Sequence, residues 1–90
     1  MKRVRVKILG LVQGVGFRNF VFHHARNFNL KGYVKNLEDG SVEAVFEGKD
    51  ELVEKVIELC RKGPPLAKVS DLKIVEEKFK DEFQDFDILY

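Results

Sequence analysis

The run Gly10-Leu11-Val12-Gln13-Gly14-Val15-Gly16-Phe17-Arg18 joins a stretch of period-two hydrophobicity to a stretch of helical period, and it constrains the fold more than any other segment. Before it, Val4, Arg5, Val6, Lys7, Ile8 and Leu9 alternate, which predicts a strand with β-branched residues on one face and cations on the other. After it, Phe17, Phe20, Val21, Ala25 and Phe28 fall at three-and-four spacing, which predicts a helix starting just after Gly16 with one buried stripe. A strand that stops, a glycine-spaced loop and an arginine opening a helix together make an anion pocket. Glycines at 14 and 16 let consecutive backbone N–H groups turn toward one point, the helix start adds its positive dipole end, and Arg18 brings a planar fork of donors. A phosphoryl or carboxylate group fits such a pocket. Between Lys7 and Arg18 there is no Ser, Thr, Cys, His, Asp or Glu, so the loop holds nothing to attack phosphorus covalently.

The rest of the chain completes a two-layer domain. Residues 30–37 and 41–46 read as strands paired antiparallel about Glu38-Asp39-Gly40, whose Asp-Gly pair tolerates the positive φ of a tight hairpin. Asp50 is expected to cap a second helix with Leu52, Val53, Val56, Ile57 and Cys60 on its buried face, ended by Gly63-Pro64-Pro65. Residues 69–77 form a further strand, residues 78–84 are polar and turn-like apart from Phe79 and Phe83, and Phe86, Ile88 and Tyr90 alternate at the C-terminus. In order this is α+β: a ferredoxin-like βαββαβ two-layer sandwich, an antiparallel sheet with two helices on one face and a short extra C-terminal strand. The 90 residues form a single domain spanning 1–90, too short for a second core.

Charge and composition narrow the partners. Sixteen Lys plus Arg against 15 Asp plus Glu leave a net charge of +1, which favours neither nucleic acid nor a membrane surface as partner. The single cysteine, Cys60, cannot close an internal disulfide, and no apolar run is long enough to span a bilayer or open a secretory signal, so a cytoplasmic protein is expected. A charged fraction of 34% suits the ion-pair networks of a heat-adapted protein, and a well-solvated surface accounts for it equally.

Known phosphate loops do not match. A Walker A loop ends in Gly-Lys-Ser/Thr, but here Phe17 and Arg18 follow Gly16; a dinucleotide fingerprint needs a third glycine where Asn19 stands. The second notable segment is Gly32-Tyr33-Val34-Lys35-Asn36-Leu37-Glu38-Asp39-Gly40-Ser41-Val42-Glu43. Asn36 precedes the hairpin turn, where its amide either caps backbone or holds a water molecule as donor and acceptor at once. Lys31-Gly32-Tyr33 opens like an RNA-recognition motif, but Val34, Lys35 and Asn36 break the pattern. His23 and His24 lack metal-ligand spacing, Cys60 lies on a buried stripe, and Asp85 and Asp87 fit a solvated or edge-protecting face. No metal site and no cofactor are expected.

Taken together, residues 10–18 and 32–43 resemble the two signatures of the acylphosphatase family: Gly-x-Val-Gln-Gly-Val-x-Phe-Arg, and Gly-aromatic-Val-x-Asn followed by Asp-Gly-Ser/Thr-Val-Glu. Gly63-Pro64-Pro65 and the ending at 86–90 also look like family features. The resemblance implies hydrolysis of an acyl phosphate to a carboxylate and inorganic phosphate, without metal or covalent intermediate, and a monomer is expected. It implies that Arg18 binds the phosphate, that Gln13, Gly14, Val15, Gly16 and Phe17 complete a cradle of loop amides, and that Asn36 orients the attacking water. One departure is Leu37, where the family often has threonine; Ser41 keeps the later hydroxyl. The terminal carboxylate of Tyr90 is expected to tether Arg18. A phosphate- or carbamoyl-phosphate-binding module, as in larger hydrogenase-maturation enzymes, is the alternative within the same resemblance.

Overall fold

The computed structural model describes residues 1–90. The elements are β1 (Lys2–Leu11), α1 (Phe17–Asn27), β2 (Lys31–Asn36), β3 (Val42–Gly48), α2 (Asp50–Lys62), β4 (Lys68–Glu77) and β5 (Phe86–Leu89). They build one five-stranded sheet in the order β4-β1-β3-β2-β5. The alternation read in β1 sets the layers: Val4, Val6 and Ile8 are buried beneath the helices, while Arg3, Arg5 and Lys7 point to the opposite face. Helix α1 adds Phe17, Val21 and Ala25 to the core, and α2 adds Val53, Val56, Ile57 and Cys60. Cys60 behaves as a small hydrophobe: burial pushes its thiol up to about 12, leaving no thiolate to react.

Two details differ from the sequence reading. Asp50 does not cap α2. Lys49 holds the cap position in extended conformation, its carbonyl accepts from the N–H groups of Leu52 and Val53, and Asp50 takes the first helical position. There its carboxylate meets the Met1 ammonium at 3.0 Å and complements the helix dipole. The antiparallel arrangement holds for the four long strands, whereas β5 runs parallel to β2, pairing Gly32 with Phe86 through Lys35 with Leu89. The reason is the connection. Strand β4 finishes at the end of the sheet where β2 begins, so residues 78–85 cross the sheet there and β5 must rise alongside β2.

That crossing is held by charge. Arg3, only 4% exposed, donates from Nε to Glu77 at 2.9 Å and from Nη1 to Glu47 at 3.3 Å and to Glu82 on the crossing segment. Phe83 lies 5.2 Å from the Arg3 guanidinium, and the Lys80 N–H donates to Glu47 at 3.0 Å. Glu77 is shared: Arg5 Nε reaches its other oxygen at 2.8 Å. Hydrogen bonds from Arg5 and then Arg3 hold the Glu77 carboxyl down to about 2, below its ordinary 4.5. A depressed carboxyl contributes stability that is fully present above its unfolded value and lost as pH falls through the folded value. Glu77→Gln is therefore expected to lower stability at pH 6 by about 1 kcal/mol, given solvent screening, and to flatten the acid limb of unfolding. Denaturant melts between pH 6 and pH 2 check this; parallel curves for both proteins would refute it.

Candidate active site

Strands β1, β2 and β5 all finish at one end of the sheet, the end at which α1 begins. Between Leu9 and Gly10 the pairing of β1 with β4 slips by one residue, and the chain then leaves the sheet into the glycine loop. Val12 is buried and fixes the start of the loop. Gly14 and Gly16 have φ of 74° and 81°, the left-handed region, with open space around each. The need for glycine there is conformational, not steric. Gly16 caps α1 without any side-chain hydrogen bond to its first turn. None of the backbone N–H groups from Gln13 to Asn19 donates to a protein acceptor. The loop thus presents a run of unspent donors together with the positive end of a helix, the physical requirement for holding an anion.

A cavity of about 100 Å³ opens at this point. From the loop, Gly14, Gly16, Phe17 and Arg18 line it; from β2, Asn36 does. The structure therefore brings together the arginine and the asparagine that stand 18 positions apart in sequence. Gln13 and Val15 lie outside the wall: Val15 packs against the core, and the Gln13 side chain reaches over to the β2–β3 turn. What these two can offer an anion is main-chain N–H. The wall also includes Val12, Asn19, Ile88 and Tyr90. Of these, Asn19 is the neighbour of Arg18 in the first turn, and only the helix start hinted at it; Ile88 and Tyr90 reach the site through the parallel pairing of β5.

Arg18 is distinguished by what it does not do. Arg3, Arg5, Arg26 and Arg61 each pair with a carboxylate, whereas Arg18 pairs with none. The expected tether to the terminal carboxylate is not formed; instead the Tyr90 ring lies 4.9 Å from the Arg18 guanidinium carbon. A cation–π contact spends no N–H donor, which leaves the guanidinium donors free for a ligand. Asn36, the last residue of β2, pairs with Val42 across the hairpin, and its Oδ1 is buried with no hydrogen-bond partner. An orphaned buried acceptor costs about 1–3 kcal/mol, so its retention beside an anion pocket points to use.

The neighbouring turn is tightly bound. Asp39 accepts from the Ser41 N–H at 3.0 Å and from the Ser41 hydroxyl, and Lys7 Nζ lies 2.7 Å from its other oxygen. Lys7 first, then Ser41, holds the Asp39 carboxyl well below the usual carboxylate range. The Ser41 hydroxyl therefore serves the turn and does not line the cavity. His23 is exposed, His24 packs between Phe20 and Phe28, and no group of three or more His, Cys, Asp or Glu gathers anywhere as a metal cluster would. The side chains of the cavity wall offer one guanidinium, two carboxamides and a phenol, with no side-chain carboxylate, imidazole or thiol, and the loop adds main-chain N–H groups. Such a wall can grip an anion and align a small neutral molecule.

A family model described as Acylphosphatase matches residues 4–88. An acylphosphatase of Syntrophus aciditrophicus is 49% identical over 90 residues, covering 100% of this chain and 94% of its own. A probable carbamoyltransferase HypF of Methanocaldococcus jannaschii is likewise 49% identical over 88 residues, but these cover 97% of this chain and only 11% of that protein. The crystal structure of acylphosphatase from Bacillus subtilis superposes with a TM-score of 0.96 at 38% identity, covering 100% of both chains. A fold, two long motifs and a chain-length match thus converge on one assignment: the chain belongs to the acylphosphatase family of acyl phosphate hydrolases.

Proposed function

We propose that this protein hydrolyses acyl phosphates by direct attack of water on phosphorus, with Arg18 and the loop amides from Gln13 to Phe17 holding the phosphoryl oxygens and Asn36 orienting the water. The observation that carries this reading is the meeting, in one small cavity, of an arginine without a carboxylate and an asparagine with an orphaned acceptor. Water oxygen bonds to phosphorus as the phosphorus–oxygen bond to the acyl group breaks, and that electron pair leaves on the carboxylate. A carboxylate whose conjugate acid has a pKa near 4 departs without a general acid, so the missing imidazole and carboxylates are no obstacle. One proton of the water passes to a phosphoryl oxygen of the substrate, since no side chain of the wall supplies a carboxylate or imidazole base. What remains for the protein is charge stabilisation and alignment, which dominate phosphoryl transfer.

No metal or cofactor enters this scheme. The proposed working unit is a monomer that takes an acyl phosphate and releases inorganic phosphate, with neither nucleic acid nor membrane as partner. No helix is long and apolar enough to cross a membrane. A lone buried thiol suits a reducing compartment, and the proposed location is the cytoplasm. The ion pairs shared around Arg3 and Arg5 support the further proposal of heat adaptation.

Isotope transfer tests the mechanism. Hydrolysis of benzoyl phosphate in ¹⁸O-labelled water with a chelator present is expected to place the label in inorganic phosphate and none in benzoate. Label in benzoate would mean attack at the acyl carbon, and loss of turnover with the chelator would mean a metal; either overturns the scheme.

A further inference from the structure

Gln13 spans both halves of the site without entering the cavity. Its Nε2 donates to the Leu37 carbonyl at 2.8 Å and to the Ser41 carbonyl at 2.9 Å. Each carbonyl also accepts a main-chain bond: Gly40 N–H donates to Leu37 at 3.2 Å, and Leu37 N–H donates to Ser41 at 2.9 Å. Both hydrogens of the carboxamide are therefore spent on the turn that closes the hairpin. Leu37 directly follows Asn36, and Ser41 directly precedes Val42, the residue paired with Asn36. The side chain thus grips the two carbonyls next to the Asn36–Val42 pair, while its own backbone begins the run of free N–H groups.

We propose that Gln13 is a positioning residue: its carboxamide sets the distance between the phosphate cradle and Asn36, so that the water held by Asn36 lies in line with the bond that breaks. The proposal rests on the assignment of Asn36 made above. Loop and hairpin meet here through no other side-chain hydrogen bond. The β1–β3 ladder, which pairs Ile8 with Val42, and the Lys7–Asp39 ion pair hold the base of the loop, but without the brace the loop beyond Val12 can shift relative to Asn36. A misplacement of about 1 Å is enough to cost up to about 10²-fold in rate. The turn itself does not depend on Gln13, because both carbonyls keep a main-chain donor and Asp39 ties Ser41 from the other side.

The test is a double-mutant cycle on benzoyl phosphate hydrolysis, with inorganic phosphate as competitive inhibitor and circular dichroism confirming that each variant is folded. Gln13→Met keeps the length and removes the donors. It is expected to lower kcat about 10-fold while shifting the phosphate inhibition constant by less than roughly twofold. Added to Asn36→Ala it is expected to cost less than about a further twofold, because the group it positions is gone. Gln13→Glu supplies a second readout: a carboxylate faces the two carbonyls at neutral pH, and protonation restores one donor. The ratio of its kcat to that of the wild type is expected to rise as pH falls through the carboxyl's titration. That ratio decides the matter if Gln13→Met does not fold. Wild-type kcat in Gln13→Met, losses that multiply with those of Asn36→Ala, phosphate binding weakened as much as kcat, or a flat pH ratio for Gln13→Glu would each overturn the proposal. Full turnover in Asn36→Ala alone would remove the water-orienting assignment itself, a separate failure visible in the single variant.

Discussion

Arg18→Ala is expected to lose at least about 10²-fold in kcat/KM on benzoyl phosphate, and competitive inhibition by inorganic phosphate should weaken with it. Arg18 is the cavity wall's one fixed positive charge, and it spends no charge on any carboxylate of the protein. In the proposed scheme its loss removes both the attraction that brings the phosphoryl group in and the donors that stabilise the equatorial oxygens as the bond to the acyl group lengthens. Stability should hardly move, since the side chain's one aromatic contact is with a Tyr90 that is 98% exposed, and an exposed cation–π pair is worth about 0.5–1 kcal/mol. Arg18→Lys separates charge from geometry: an ammonium keeps the charge but cannot fork two oxygens, so phosphate binding is expected to recover more than kcat does. Steady-state kinetics of the three proteins, with chelator present and thermal melts alongside, check the set. Turnover of Arg18→Ala within tenfold of wild type would assign the grip to the loop amides alone.

The features that were legible in the sequence are those whose cause is local. The alternation of Val4 to Leu9 and the three-and-four spacing from Phe17 to Phe28 each specify a face, and the faces specify a two-layer sandwich. Gly14 and Gly16 announce left-handed backbone because few other residues adopt it, and the structure finds both there. Arg18 and Asn36 were legible through motifs, not through any physical rule that pairs residues across two elements. What escaped was non-local. The direction of β5 depends on where residues 78–85 cross the sheet, and that crossing depends on Arg3 meeting Glu82 and Phe83, groups some 80 positions away. Ile88 and Tyr90 therefore arrive at the cavity through pairing that no window of sequence displays. Tyr90 shows the limit of reading chemistry without geometry: its terminal carboxylate is the obvious partner for an arginine, yet the ring makes the contact. Gln13 is a similar case, expected for its main chain and found to bond the hairpin turn through its side chain.

Asn36→Ala separates alignment from binding. Its Oδ1 is a buried acceptor without a partner in the folded protein, so truncation removes an unsatisfied group and should leave the melting temperature unchanged or higher. The proposed phosphate grip is untouched, since Arg18 and the loop amides remain, and the inhibition constant for phosphate should stay within about twofold. If Asn36 orients the water as proposed, only that orientation is lost, and kcat is expected to fall by about 10²-fold, the scale attached to misplacing one reacting partner. Asn36→Asp sharpens the distinction, because it keeps shape and acceptor while placing an ionisable group beside a bound anion. Burial without a partner and the neighbouring phosphoryl charge both raise the pKa of the new carboxyl, so it titrates above the usual carboxylate range. Its charged form repels substrate. Activity of Asn36→Asp is therefore expected to be greatest at acid pH and to decline as pH rises through that raised pKa, a limb the wild type lacks. A stable Asn36→Ala that turned over benzoyl phosphate at the wild-type rate would remove the asparagine from the reaction and leave the water to be aligned by the phosphoryl group itself.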